Sequence, residues 1–392
     1  MITPHTYSNI SEWLQNVVDN NKIPFAKINI SQNNSMLFSE FKHKNLGEYA
    51  NNHLYRIQSL TKPITSLVSL IVLNKYKINI NDPIKSVVEG FSNSKVLSNG
   101  IFEDAKSDIT FAHLLTHTSG ITYGFNKSNQ SILRGNTEAD ELYRNVDLLR
   151  KIQSSSINST EFLDMISTLP LAYHPGSRWN YGMSTDLLGV ILEKICNKPL
   201  NTIFKDELFN YLNMTDTFFP DLDTKNIIPT YKLTLPTGFK IIKGTDQIKN
   251  KIQFQSGGGG LISTPEDYHK FCNFILNHEP DFLSHDIINM MKINQISGDM
   301  NYLSDGTNFF DYAFAGPGIG FTFGFSIIVN QSIVDFKSPL DLLSWAGSSN
   351  TISWIDQKHN FVFTMFSQLI PFGYHNYKKE LMNLIYSDSN FV

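Results

Sequence analysis

Cysteine is scarce: only Cys196 and Cys272 occur in 392 residues, too few for a disulfide framework and in no spacing that would build a zinc site. Both lie in apolar periodic segments, where a thiol acts as a small hydrophobe. Dense basic runs are missing too. Lys plus Arg number 32 against 36 Asp plus Glu, for a formal net charge of −4, so nothing attracts a phosphate backbone or an anionic bilayer. Neither nucleic acid nor membrane is expected as a partner. The longest strongly apolar stretch, Leu67-Val68-Ser69-Leu70-Ile71-Val72-Leu73, is far short of the ~20 residues that span a bilayer and reads as a buried core helix. The opening Met1-Ile2-Thr3-Pro4-His5-Thr6-Tyr7 has neither the basic nor the apolar region of a secretory leader. Reduced thiols and a cytoplasmic protein are the expectation.

What is present is core-forming material. Hydrophobic residues make up 41% and charged residues 17%, with 29 Phe and 16 Tyr, which excludes wholesale disorder. No internal repeat or low-complexity linker interrupts the chain. Residues 25–45 read as short strands around the turn Gln32-Asn33-Asn34, and 60–76 as a helix that is apolar nearly all round. From 85 to 250 the patterns are mostly helical, with polar connections such as Lys127-Ser128-Asn129-Gln130-Ser131. Later, Phe321, Phe323 and Phe325 alternate with small residues, which places three aromatics on one strand face. Segments 351–356 and 360–367 flank Gln357-Lys358-His359 as an antiparallel hairpin. The expected organisation is an α+β or α/β domain built from the two ends of the chain, 1–84 and 251–392, around an antiparallel sheet flanked by helices. A mostly helical domain, 85–250, is inserted, and the cleft between the two carries the site.

Ser59-Leu60-Thr61-Lys62 is the first chemical candidate. A hydroxyl is a poor nucleophile unless a base lies within hydrogen-bond reach, and i,i+3 spacing brings the Lys62 amine under Ser59. Burial and a helix N-terminus both favour the neutral amine. The pattern recurs at Ser39 to Lys42 and Ser92 to Lys95, but only Ser59 opens a long apolar helix, with Pro63 tolerated in its first turn. Spacing alone leaves Ser59 equally readable as a helix cap.

The context narrows this choice. Arg56 to Thr65 resembles the nucleophile segment of the serine β-lactamase and penicillin-binding-protein superfamily, in the class C-like branch nearest the family VIII carboxylesterases. Asn81-Asp82-Pro83-Ile84, Leu114 to Ile121, Tyr211 to Thr217, Ser256 to Leu261 and the Trp345-Ala346-Gly347 region follow in the same order, over roughly residues 25 to 370. The resemblance implies a β-lactamase-like fold and an acyl-enzyme mechanism without metal or cofactor. Tyr-x-Asn occurs at Tyr7, Tyr49, Tyr143, Tyr211 and Tyr374, yet the position the resemblance selects is Tyr181, in Trp179-Asn180-Tyr181-Gly182-Met183. By that resemblance Tyr181 shares the base role with Lys62 and protonates the leaving group. Met183 stands where many β-lactamases have Asn and loses a polar contact to substrate. Neither Lys-Ser/Thr-Gly nor His-Ser/Thr-Gly occurs in the chain; Trp345-Ala346-Gly347 resembles the Trp-x-Gly of the esterases, and an indole cannot hold a substrate carboxylate as a lysine does. Gly347 lets backbone approach substrate, and the N–H groups of Ser59 and Ser348 are the implied oxyanion donors.

His113 and His117 stand at i,i+4 but lack the glutamate of a zinc-protease motif, and His117 reads as part of a helix-ending turn. Gly257 to Gly260 lacks the Gly-Lys-Ser/Thr of a phosphate loop, and the run reads as a place of close packing. The resulting expectation is a carboxylesterase acting on an uncharged ester, with a small amide as the lesser alternative substrate and self-association into a homo-oligomer left open. The alternatives are a β-lactamase or D-alanyl peptidase, and a non-catalytic binding or assembly module on the same fold.

Overall fold

The computed structural model describes residues 3–125, 137–234, 238–278, 282–300 and 316–387; the polar connection at 127–131 lies outside them. The main elements are α1 (Pro4–Asp19), β1 (Phe25–Gln32), β2 (Ser35–His43), α2 (Thr61–Lys75), α3 (Ser184–Cys196), α4 (Pro265–Asn277), β3 (Ile319–Phe321), β4 (Ser326–Ile328), β5 (Leu343–Gly347), β6 (Thr351–Asp356), β7 (Phe361–Phe366) and α5 (Tyr377–Ile385). Seven strands form one antiparallel sheet in the order β2-β1-β7-β6-β5-β4-β3. The two ends of the chain thus meet side by side, with Lys27 opposite Phe366 and Gln32 opposite Phe361.

Local chemistry accounts for the hairpins. Asn33 and Asn34 both take positive φ, 50° and 61°, the conformation that matches a tight turn to the right-handed twist of β1 and β2. At the β6–β7 turn the buried Asp356 accepts hydrogen bonds from the backbone N–H of His359 at 3.0 Å and from its Nδ1 at 2.7 Å. Trp354 stacks on Phe363 across that hairpin at 3.7 Å. Every residue of β6 and β7 is buried, because helices cover both faces of the sheet.

The helix α4 begins as its sequence indicates. Thr264 caps it by accepting from Asp267 N–H, and Pro265 opens the first turn beside Glu266 and Asp267. It lies on the face that presents Asn29, Ser31 and Thr364. There the imidazole of His269 bonds the Thr364 hydroxyl at 3.1 Å and the Ser31 hydroxyl at 2.8 Å. On the opposite face α1 and α5 pack together. Between the sheet and the helical part runs α2, buried from Thr61 through Leu73. This nearly uniform burial is why its sequence carries no polar stripe.

Two features differ from expectation. Phe321, Phe323 and Phe325 do not share a strand: the chain turns between β3 and β4, where the N–H of Thr322 donates to the carbonyl of Phe325 at 2.8 Å. Gly324 permits that turn with φ 118°, and a Cβ there would stand 3.1 Å from the Pro63 Cα. Phe321 consequently meets Trp345, and Phe325 meets Phe271 of α4. Secondly, the segment between 85 and 250 holds strand pairs at 95–98 with 101–104 and at 231–233 with 239–241 among its helices. No helix among the described residues is long and apolar enough to cross a membrane.

Burial lowers the pKa of His269 from 6.5 to about 4. The unfolded chain therefore takes up a proton first as pH falls, and the stability contributed by the neutral ring is present above pH 6.5 and lost towards pH 4, by about 3 kcal/mol. Urea unfolding of wild type and His269→Gln across this range is expected to give a steeper acid loss for wild type; parallel curves would refute the assignment.

Candidate active site

The start of α2 and the turn before it place the first two side chains. The α-helix begins at Thr61, two residues after Ser59, which lies in a 3-10 turn spanning Gln58 to Leu60. Ser59 is thus not a cap for α2. Its Oγ instead accepts from Lys62 Nζ at 3.2 Å and from the Tyr181 hydroxyl at 2.8 Å. Lys62 is 1% exposed, and its amine also donates to the Gly258 carbonyl at 2.6 Å. The rings of Tyr181 and Tyr123 lie 4.7 and 5.4 Å from the same nitrogen.

Desolvation dominates the electrostatics of this group. Burial lowers the Lys62 pKa from 10.5 to about 7, against an opposing pull from Asp186. Burial moves the Tyr181 phenol the other way, upward, with its hydrogen bonding to Ser59 and Trp345 opposing that rise. At neutral pH the site therefore holds a substantial fraction of neutral amine beside a protonated phenol. Such an amine can accept a proton from Ser59, and the phenol can donate one.

Tyr181 is held by the residues around it. The N–H of Asn180 donates to the His117 carbonyl at 2.8 Å, and its side-chain amide to the Ile121 carbonyl at 3.2 Å. Gly182 has no room for a side chain, since a Cβ would stand 2.1 Å from the Ile121 oxygen. His117, Trp179 and Trp345 surround the phenol ring. On the other side of Ser59, β5 ends at Gly347, where a Cβ would meet the Ile57 oxygen and Thr351 Oγ1, each at 2.3 Å. The absence of that atom lets the strand end lie against the turn that carries Ser59, to which Thr351 adds a hydrogen bond on the Ile57 carbonyl.

The structure brings Ser59, Lys62 and Tyr181 together, with Gly347 alongside. Ser348 follows in the turn after β5 and is exposed. Trp345 and Met183 are placed otherwise than a substrate contact requires. Both are 0% exposed, so Trp345 supports Tyr181 from behind and Met183 packs in the core just ahead of α3. The His113 and His117 pair does not converge. His113 completes the cap at Thr110, whose N–H donates to its Nδ1, and no cluster of metal-binding side chains occurs among the described residues. The glycine run does pack closely: Cβ atoms at Gly257 and Gly258 would stand 2.4 Å from the Thr185 oxygen and from Asp186 Oδ2.

A family model described as beta-lactamase matches residues 11–386 of this chain. The chain belongs to the beta-lactamase family. Within reach of that family assignment are relatives with different names. The acyltransferase calJ of Penicillium decumbens is 28% identical over 81% of this chain and 76% of its own length. Esterase EstB of Burkholderia gladioli is 22% identical over 75% and 72%. Among solved structures, EstCE1, a hydrolase with promiscuous acyltransferase activity, superposes with TM-score 0.77 at 16% identity, covering 97% of this chain and 99% of that one. The unliganded simvastatin synthase LovD of Aspergillus terreus gives TM-score 0.77 at 18% identity, covering 98% and 97%. The β-lactamase-like fold and the family resemblance read from the sequence are therefore both borne out.

Three parts of this beta-lactamase family site escaped sequence reasoning: Asp186, Tyr123 and the Gly258 carbonyl. The one signal at Asp186 was an acid in the first turn of α3, which an ordinary helix start also shows. The other two had none, because a carbonyl and a common aromatic acquire their roles only by placement. Gly347→Ala is expected to destabilise the fold by about 1–3 kcal/mol through overpacking and to slow labelling of Ser59 by a fluorophosphonate, read by urea unfolding and intact mass. Wild-type values for both would remove Gly347 from the support of the nucleophile.

Proposed function

We propose that this protein is a serine hydrolase that works through an acyl-enzyme, most plainly a carboxylesterase for small uncharged esters. The observation that carries this reading is the double hydrogen bond on Ser59 Oγ, from the buried Lys62 amine at 3.2 Å and from the Tyr181 hydroxyl at 2.8 Å. The serine O–H proton passes to neutral Lys62 as Oγ attacks the ester carbonyl. The oxyanion is held by the N–H groups of Ser59 and Ser348, in a site where fixed donors stabilise developing charge. Collapse of the intermediate expels the alcohol, which takes its proton back from Lys62 by way of Tyr181. Water then attacks the acyl-enzyme under the same base. In this reading residues 1–84 with 251–392 form one wall and 85–250 the other, with the reacting atoms between them.

Preference for an uncharged ester rests on the absence from the chain of a Lys-Ser/Thr-Gly triplet, whose lysine would hold a substrate carboxylate. Interception of the acyl-enzyme by an alcohol is the second reading, favoured by acyltransferase calJ among the relatives and by the activity named for EstCE1. A β-lactamase and a non-catalytic module are the further alternatives. All are separated by one comparison: a short-chain nitrophenyl ester, with and without added alcohol, against a chromogenic cephalosporin.

Ser59→Ala is expected to lower ester turnover by about 10³-fold or more and to abolish the acyl adduct in intact-mass spectra. Tyr181→Phe should cost about 10²- to 10⁴-fold. Undiminished turnover in Ser59→Ala would overturn the mechanism, and faster cephalosporin cleavage would move the activity to β-lactamase. Because the base is the neutral amine with its pKa at about 7, kcat/KM should fall as pH drops below about 7. A profile flat from pH 8 to 5 would exclude Lys62 as the base.

A further inference from the structure

Taking a proton from Ser59 leaves Lys62 as an ammonium ion in a place closed to water. The groups facing it are few: the Ser59 hydroxyl and the Gly258 carbonyl, the phenols of Tyr181 and Tyr123, the imidazole of His117 and the carboxylate of Asp186. Burial holds His117 well below its ordinary range, so it stays neutral. Only Asp186 supplies opposite charge among the described residues that act on Lys62.

Asp186 is itself 1% exposed and well furnished with donors. Its Oδ1 accepts from Ser256 Oγ and from the Gly258 N–H at 3.1 Å, and its Oδ2 from the Tyr123 hydroxyl at 3.4 Å. Burial raises the Asp186 pKa above the ordinary carboxyl range, and the charge on Lys62 together with these three donors opposes that rise in favour of the ionised form. The Gly258 peptide thus connects the two charges: its N–H donates to Asp186 while its carbonyl accepts from Lys62. No side chain fits at Gly258, where a Cβ would stand 2.4 Å from Asp186 Oδ2.

The geometry points to Asp186 as a positioning residue that fixes the Gly258 carbonyl on the Lys62 amine and balances the ammonium formed when Ser59 is acylated. This rests on the acyl-enzyme reading. In the acylation step the Ser59 O–H bond breaks, an N–H bond forms on Lys62 and Oγ bonds to the carbonyl carbon. The cation so created lies opposite a carboxylate already in place, which needs no reorganisation at that moment. A purely structural carboxylate would contribute to stability alone.

The test is the pH profile of kcat/KM for a nitrophenyl ester, with acyl adduct formation followed by mass, in wild type, Ser59→Ala and Asp186→Asn. Asp186→Asn keeps the shape and removes the charge. Losing that charge lowers the Lys62 pKa, so the acid limb is expected to move to lower pH by about one unit or more. Acylation at the plateau is expected to slow by about tenfold, as each unit of lost basicity is tenfold in the equilibrium. If Asp186→Asn does not fold, Ser256→Ala and Tyr123→Phe each take one hydrogen bond from the carboxylate and are expected to move the limb the same way. An acid limb unmoved in the variant that folds, with the Ser59 adduct still forming, overturns the role of Asp186. Turnover that survives Ser59→Ala overturns instead the acyl-enzyme reading beneath it.

Discussion

The removal of one amine from water is the constraint on which the site depends. Lys62 in solvent would be an ammonium ion three residues from a hydroxyl, with nothing to offer Ser59. Enclosed as it is, at 1% exposure and with its pKa lowered to about 7 by burial, it is in large part a neutral amine able to accept a proton. Keeping it enclosed requires the first turn of α2, the glycine run at 257–260, Tyr123 and the turn carrying Tyr181 to meet around one nitrogen. Much of the close packing in the molecule is accounted for by that meeting.

Backbone polar groups do most of the fastening. Gln368 returns both hydrogen bonds of Arg56, accepting from its N–H at 3.2 Å and donating to its carbonyl at 3.1 Å. Thr65 donates to the Gly257 carbonyl at 2.6 Å, and Thr61 accepts from Leu261 N–H at 3.3 Å. These bonds clamp the turn that carries Ser59 between the sheet and the glycine run. Within that clamp Gln58 adopts φ 50°, a conformation a non-glycine residue holds only where its surroundings impose it. Side chains set on helix and strand ends, rather than on long loops, keep such a site in register.

The sequence was legible where the local rule and the global fold agree. The Asn33-Asn34 turn, the capped start of α4 and the β6–β7 hairpin could be read because their residues have one good local conformation. The apolar run of α2 declared its burial. The three phenylalanines of 321–325 misled because period two is also what a turn around Gly324 displays when its flanks are packed on both sides. At the site, Ser59 and Lys62 were visible through spacing, whereas Tyr181 had to be chosen among several tyrosines by resemblance. Asp186 went unread because its meaning comes from residues more than seventy positions away in either direction, Lys62 and Gly258. Trp345 and Met183 were identified by position, but their burial depends on how α3 and β5 are covered, which no local pattern records.

The pairing of β1 with β7 has a consequence for how the molecule comes into being. Lys27 pairs with Phe41 of β2 on one side but finds its partner on the other only at Phe366, and β5, whose end lies against the turn that carries Ser59, begins at Leu343. A chain emerging from the ribosome therefore carries Ser59 and Lys62 for most of its synthesis with an open sheet edge at β1 and an amine still in water. Contacts of such long sequence separation close late, and until they do the exposed edge of β1 is a hazard for association with other chains. Assembly of the last strands protects that edge and brings Gly347 against the turn that carries Ser59 in the same event.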